Sequence, residues 1–288
     1  MRSGPSSTLA LGVLWLVVAS ACDGAPAGQP APAGPSPQDT TPRAYSLVWS
    51  DEFEEDGLPD ATKWGYDVGD GCPNLCGWGN NELEYYTAGR LENARVEGGM
   101  LVIEARHEPF GTRNYTSARL VTRGKGDWVY GKIEVRARLP SGVGTWPAIW
   151  MLSTDWSYGG WPASGEIDVM EHVGFAPDSV HGTVHTAAYN HVQGTQRSGR
   201  KLLPDAEQAF HVYAIEWTAQ AIDFLIDDTV YYRFPNENQG PDVWPFDQRF
   251  HLIMNIAVGG NWGGQMGVDD GIWPQRMTVD YVRVYQRR

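Results

Sequence analysis

Eight residues, Lys132-Ile133-Glu134-Val135-Arg136-Ala137-Arg138-Leu139, alternate polar and apolar without a break. Successive side chains of a strand point to opposite faces, so this run offers one face to a core and one to water. A helix needs apolar residues every three or four positions, which a strict period of two does not supply. Shorter alternating or β-rich runs occur at Leu101 to Ala105, Phe210 to Trp217, Ile222 to Ile226 and Val279 to Tyr285, with Gly, Pro, Asn and Asp between them. No stretch reads as a long amphipathic helix. Many short strands at this spacing predict an all-β sandwich or barrel.

This texture runs from Tyr45 to the end, so one domain is placed at 44–288. Residues 23–43 hold six prolines among Ala, Gly, Ser and Gln, a composition that builds no core and reads as an extended tether. Residues 1–22 read as an export signal: Arg2, an apolar segment from Leu9 to Val18, then Ala19-Ser20-Ala21 before Cys22. The apolar segment is too short for a permanent membrane span. Small residues directly before a cysteine resemble a bacterial lipoprotein processing site, with Cys22 as a lipidated N-terminus, although Ala19 stands where Leu is usual. Ordinary cleavage nearby is the alternative. Both predict an exported protein, extracellular or held at the cell envelope. Cys72 and Cys76, four apart, are expected to form a small-loop disulfide, because a metal site would need two further soft ligands nearby. A net charge of −13 disfavours nucleic acid and anionic membranes as partners and fits a neutral ligand. The 13 Trp and 13 Tyr are many for this length; a core can use some of them, and exposed rings also make platforms for sugar faces. A monomer is expected.

The chemistry concentrates in Glu166-Ile167-Asp168-Val169-Met170-Glu171. On a strand, Glu166 and Asp168 share a face, and strict alternation sends Glu171 to the other. One extra residue, a β-bulge at Val169 or Met170, returns Glu171 to the first face and puts the apolar residues beneath. Three acids side by side repel one another. Glu166 and Glu171, four strand positions apart once the bulge is counted, have Cα atoms roughly 13 Å apart. Two glutamate side chains leaning together close most of that gap, as a retaining glycosidase requires. A solvated acidic face and calcium ligation by three hard oxygen donors remain open on these residues alone. The flanks carry Thr145-Trp146-Pro147-Ala148-Ile149-Trp150, Trp161-Pro162-Ala163-Ser164-Gly165 and His181-Gly182-Thr183-Val184-His185. Aromatics gathered around paired acids are what a sugar site would show, with core packing as the competing role for each.

The acid row resembles the active-site strand of glycoside hydrolase family 16 in its bulged form, Glu-x-Asp-x-x-Glu. Leu47 to Phe53, Trp78-Gly79-Asn80-Asn81-Glu82-Leu83, Gly165 to His172 and Val258 to Gly264 resemble the bacterial laminarinase-like branch, so the likeness spans nearly the whole domain. It implies a β-jelly-roll sandwich with a substrate cleft across a concave sheet. Carried onto matching positions, it implies Glu166 as nucleophile, Glu171 as general acid/base and Asp168 as the carboxylate that orients them. Trp146, Trp150 and Trp161 would contact sugar, His185 would hydrogen-bond near the acid/base, and Asn81 and Trp262 would line the cleft. The reaction needs no cofactor. A structural calcium on Glu52, a carbonyl around Gly98 and Asp280 is also implied, with ordinary surface acids as the alternative. Gly69 to Gly77, which contains the cysteine pair, departs from the pattern as a loop insertion beside Asn80 and Asn81.

The expected function is retaining, endo-acting hydrolysis of internal β-1,3 bonds in a β-glucan such as laminarin. The nearest alternatives on the same scaffold are mixed-linkage 1,3-1,4-glucan, agar or carrageenan specificity. Sulfated galactans would call for clustered Lys and Arg. A non-catalytic β-glucan-binding protein would be expected to lack one or both glutamates, and a calcium-dependent adhesive sandwich would not need the flanking tryptophans.

Overall fold

The alternating run forms the strand Gly131–Arg138, with Ile133, Val135 and Ala137 buried in the core. On the other face Lys132 bridges Glu134, and Arg136 bridges Asp280. This computed structural model describes residues 45–287. The expected export signal, Cys22 and the Pro-rich tether lie outside the described residues. The strands run further than the sequence patterns indicate: Met100–Phe110 and Gln275–Arg287 extend the runs anticipated at Leu101 to Ala105 and Val279 to Tyr285. Apart from Met277, which enters the core, and the half-buried Met100, their extra residues are polar or exposed, so pairing with neighbours extends the strands there.

Two sheets pack face to face as a β-jelly-roll sandwich. Among the described residues one sheet has ten strands, and Gly131–Arg138 lies inside it between His211–Trp217 and Gln275–Arg287. The other has eight, running Arg197–Leu202, Ser179–His185, Glu166–His172, Thr145–Ser153, Phe250–Val258, Arg119–Val121 and Gly65–Tyr66, with Asp127–Trp128 also paired to Phe250–Val258. Phe250–Val258 shows how the second sheet works. Phe250, Leu252, Met254, Ile256 and Val258 enter the common core, whereas His251, Ile253, Asn255 and Ala257 face the opposite side. All nine are buried, so the open face of this sheet is itself covered by side chains and loops. Fully burying one Leu, Ile or Phe contributes about 1.5–3 kcal/mol, and that core is what holds the open face rigid.

Cys72 and Cys76 form the expected disulfide, S–S 2.05 Å. Just after the small loop they close comes Trp78, whose indole donates to the carbonyl of Gly69 (3.2 Å) and packs on Tyr86.

Candidate active site

Glu166 to His172 is the strand the acid row builds, paired with Thr145–Ser153 on one side and Ser179–His185 on the other. Gly165 precedes it at φ +82°, where a Cβ would lie 2.8 Å from Pro245 and 3.0 Å from Phe246. Only glycine admits both that backbone and that approach. Glu166 lies opposite His185, Asp168 opposite Thr183 and Glu171 opposite His181. Between Asp168 and Glu171 two residues of the acid strand, Val169 and Met170, therefore oppose one of its neighbour, Gly182, which is the bulge the spacing requires. Its consequence is direct: Val169 and Met170, adjacent in sequence, are both buried in the core. Glu166, Asp168 and Glu171 are left together on the open face.

Each outer acid is held by an indole. Trp161 Nε1 donates to Glu166 Oε2 at 3.1 Å, and Trp146 Nε1 donates to Glu171 Oε1 at 3.1 Å. His185 Nε2 lies 3.3 Å from Asp168 Oδ2 and 3.6 Å from Glu166 Oε1. Trp150 pairs across the strands with Asp168 and so projects on the same face. Trp262 meets Trp146 edge-on at 5.7 Å and His181 at 5.0 Å. Asn81 sits at one end, exposed, its amide donating to Asn261 at 2.8 Å. The structure thus gathers Trp146, Trp150, Trp161, His185 and Trp262 around the acids and places Asn81 at the margin.

Burial pushes all three acids up to about 8, well above the usual carboxylate range. The Asp168 charge adds to the effect at both Glu166 and Glu171, while the His185 ring and the Arg119 guanidinium pull Glu166 back. Protons therefore leave this row in steps that belong to the cluster. The His185 ring and the Trp146 N–H likewise pull Glu171 back, and both glutamates stand at about 8. A row with one ionised and one protonated carboxyl can attack a carbon and protonate a leaving oxygen in the same step.

The sequence model of Glycosyl hydrolases family 16 matches residues 82–283, the span that contains the acid strand and both its neighbours. The chain belongs to this family. It is 64% identical over 249 residues to a beta-glucanase of Rhodothermus marinus, covering 84% of this chain and 85% of that one. It is 39% identical over 259 residues to a glucan endo-1,3-beta-glucosidase of Cryptopygus antarcticus, covering 83% and 92%. The X-ray structure of the laminarinase from Rhodothermus marinus superposes with a TM-score of 0.83 at 61% identity, covering 85% of this chain and 99% of that one.

In this family-16 chain the two carboxylates expected among the calcium donors are paired with arginine. Strand pairing of Asp51 with Val282 and of Val279 with Leu101 brings the segments bearing Glu52, Asp280 and Gly98 to one region of the ten-stranded sheet. Arg283 grips Glu52 through Nε and Nη2 at 2.9 and 2.8 Å, Arg136 holds Asp280, and the Gly98 N–H donates to Asp56. Both carboxylate charges are met by guanidinium, and a calcium ion would have to displace two arginines. As arranged, both carboxylates serve ion pairs. Among the described residues, the acids and histidines close enough to share a metal are Glu166, Asp168 and His185, within 4.8 Å of one another. A metal there would occupy two carboxylates of the acid row.

Several residues of the site were not anticipated. Arg119 lies 4.7 Å from the centre of the Trp150 ring and 4.4 Å from that of Trp78, and its Nε is 3.2 Å from Asp67. His191 packs on Trp161 at 5.0 Å and on His185 at 5.1 Å. Asn255 accepts the Trp150 indole N–H at 2.7 Å. Their one visible signal was position: Arg119 and Asn255 interrupt apolar runs on strands that pair with each other.

Proposed function

We propose that the chain is a retaining endo-β-1,3-glucanase in which Glu166 is the nucleophile and Glu171 the general acid/base. The observation that carries this reading is the bulged strand, with both outer acids on the open face and an indole N–H fixing each. In the first step Glu166 attacks C1 of the sugar, the bond from C1 to the leaving O3 breaks, and Glu171 gives its proton to that oxygen. In the second, Glu171 takes a proton from water as the water oxygen attacks C1, and the ester to Glu166 opens. Asp168, lying between the two glutamates and beside His185, keeps their orientation. Trp150, Trp161, Trp146 and Trp262 offer aromatic surface to the pyranose rings on either side, with Asn81 at the end of the cleft.

The names of the two relatives and the laminarinase structure support β-glucan as substrate, and the β-1,3 linkage follows the Cryptopygus antarcticus relative most directly. A protein that binds glucan without cutting it does not require both glutamates; this chain keeps both, and each is hydrogen-bonded. The discriminating test is Glu166→Gln assayed on soluble β-1,3-glucan. Reducing-end release is expected to be abolished while glucan still binds. A variant that cleaves as fast as the native chain would show that another group is the nucleophile. Glucan bound but never cut by the native chain would favour the binding protein.

A further inference from the structure

The reaction leaves a second pair of acids unused. Glu82 and Glu84 follow Asn80-Asn81 in chain order and are both buried, Glu84 completely. Buried carboxylates without partners are expensive, so their contacts indicate what keeps them there. Glu84 Oε2 accepts the backbone N–H of Val258 at 2.6 Å, at the start of the loop that carries Gly259 to Trp262. Glu82 Oε1 accepts from Asn80 Nδ2 at 3.2 Å, and Glu82 Oε2 accepts from the hydroxyl of Tyr86 at 3.1 Å.

From Tyr86 the hydrogen bonds continue in one direction towards the open face. Asn255 Nδ2 donates to the Tyr86 oxygen at 2.9 Å, and Trp150 Nε1 donates to Asn255 Oδ1 at 2.7 Å. Every donor in this series points inward, from the indole through amide and hydroxyl to the Glu82 carboxylate. Such a series polarises along its length, and an acceptor-only terminus is what orients it. Reversing the Asn255 amide would set its NH2 against the indole N–H. The amide orientation, and with it the edge of Trp150, is thus set by the acceptor on Glu82. Arg119 supports the same indole from its face. Burial raises both acids, Glu84 well above its ordinary range with the Glu82 charge adding to it, whereas the Arg119 guanidinium and the hydrogen bonds from Asn80 and Tyr86 pull Glu82 back. Of the two, Glu84 is the one driven further toward its neutral form.

We infer that Glu82 is a positioning residue for glucan binding, acting through Tyr86 and Asn255 to fix the indole plane of Trp150 in the cleft. The inference rests on the proposed function only in taking Trp150 as a sugar-contacting ring. Losing one buried hydrogen bond of the series is expected to weaken binding by about three- to tenfold. Glu82→Met and Tyr86→Phe should each raise KM for soluble β-1,3-glucan by that factor while kcat stays within about twofold, since neither group touches the acid row. Glu82→Gln, which keeps an acceptor oxygen for Tyr86, should recover most of the loss.

The decisive arm is the background of Trp150→Ala. With the indole gone, Glu82→Met and Tyr86→Phe should add no further change in KM or in glucan affinity measured by tryptophan fluorescence. Tyr86→Phe keeps the core volume and reads the series if Glu82→Met fails to fold. The inference is overturned if the folded variants bind glucan like the native chain, if their effects persist without Trp150, or if kcat falls and KM does not. The functional reading fails separately: a native chain that releases no oligosaccharide refutes the hydrolase, while the affinity pattern still decides the role of Glu82.

Discussion

At the scale of single residues, the acid row links catalysis to stability through its protons. Glu166, Asp168 and Glu171 hold protons in the folded chain up to about 8 and would release them at the ordinary carboxylate values when unfolded. Between those limits the native state binds more protons than the unfolded state, so stability falls as pH rises and levels off above about 8. The glutamates therefore destabilise the fold at working pH, which is a cost of the site. Glu171→Gln removes one such group. Its Tm is expected to exceed that of the native chain by about 2–4 °C near neutral pH, corresponding to relief of about 1 kcal/mol in a domain of this size. Well below about pH 4, where the carboxyl is protonated in both states, the gain should vanish. Calorimetry across this range checks the sign, and an equal gain at both ends would contradict the assignment. What the sequence could reveal at this scale was uneven. Glu166 and Glu171 were legible because three acids in one strand violate the usual separation of like charges. That Trp146 serves Glu171 and Trp161 serves Glu166 was not, because each depends on how an indole turns about its own side-chain bonds. Arg119 and Asn255 were missed for a related reason. Their partners Trp78, Trp150 and Tyr86 come from distant parts of the chain, and no local pattern joins them.

At the scale of elements, the bulge turns a period of two into a usable site. It was countable from sequence, because Glu-x-Asp-x-x-Glu has one residue too many for a single face. The register confirms where it falls, between Asp168 and Glu171. Deleting Val169 leaves Glu-x-Asp-x-Glu, in which alternation alone puts all three acids on the open face. The loss of a buried valine is expected to lower stability by about 1–3 kcal/mol, with glucan cleavage retained at a measurable level. Deleting Ile167 shifts Glu166 to the face opposite Asp168 and Glu171, and cleavage should be lost. Reducing-end assays on the two folded deletions, compared by thermal melting, read the difference. If ΔIle167 cleaves and ΔVal169 does not, the face argument is wrong. The strand ends were less legible than the bulge. Exposed residues of Gln275–Arg287 and Met100–Phe110 are held by partners rather than by burial, so no hydrophobic period marks their limits.

At the scale of the whole molecule, a sandwich or barrel was readable from the alternation of short strands and the jelly roll from the family resemblance, while the order of strands in the two sheets was not legible, because it depends on pairings between distant segments. The tether and the signal-like start lead us to propose an exported enzyme whose lipid attachment, if Cys22 is the processed terminus, holds it at the envelope. Cys22→Ser should then move glucanase activity from the membrane fraction to the soluble exported fraction. Activity distributed identically in both forms would sink the anchor and leave ordinary cleavage. The central claim, that the acid row cuts internal β-1,3 bonds with retention, is most directly tested by following the first products from soluble β-1,3-glucan by proton NMR. The account predicts oligosaccharides of mixed length whose new reducing ends appear first as the β-anomer and only later equilibrate. New ends appearing first as the α-anomer would contradict it.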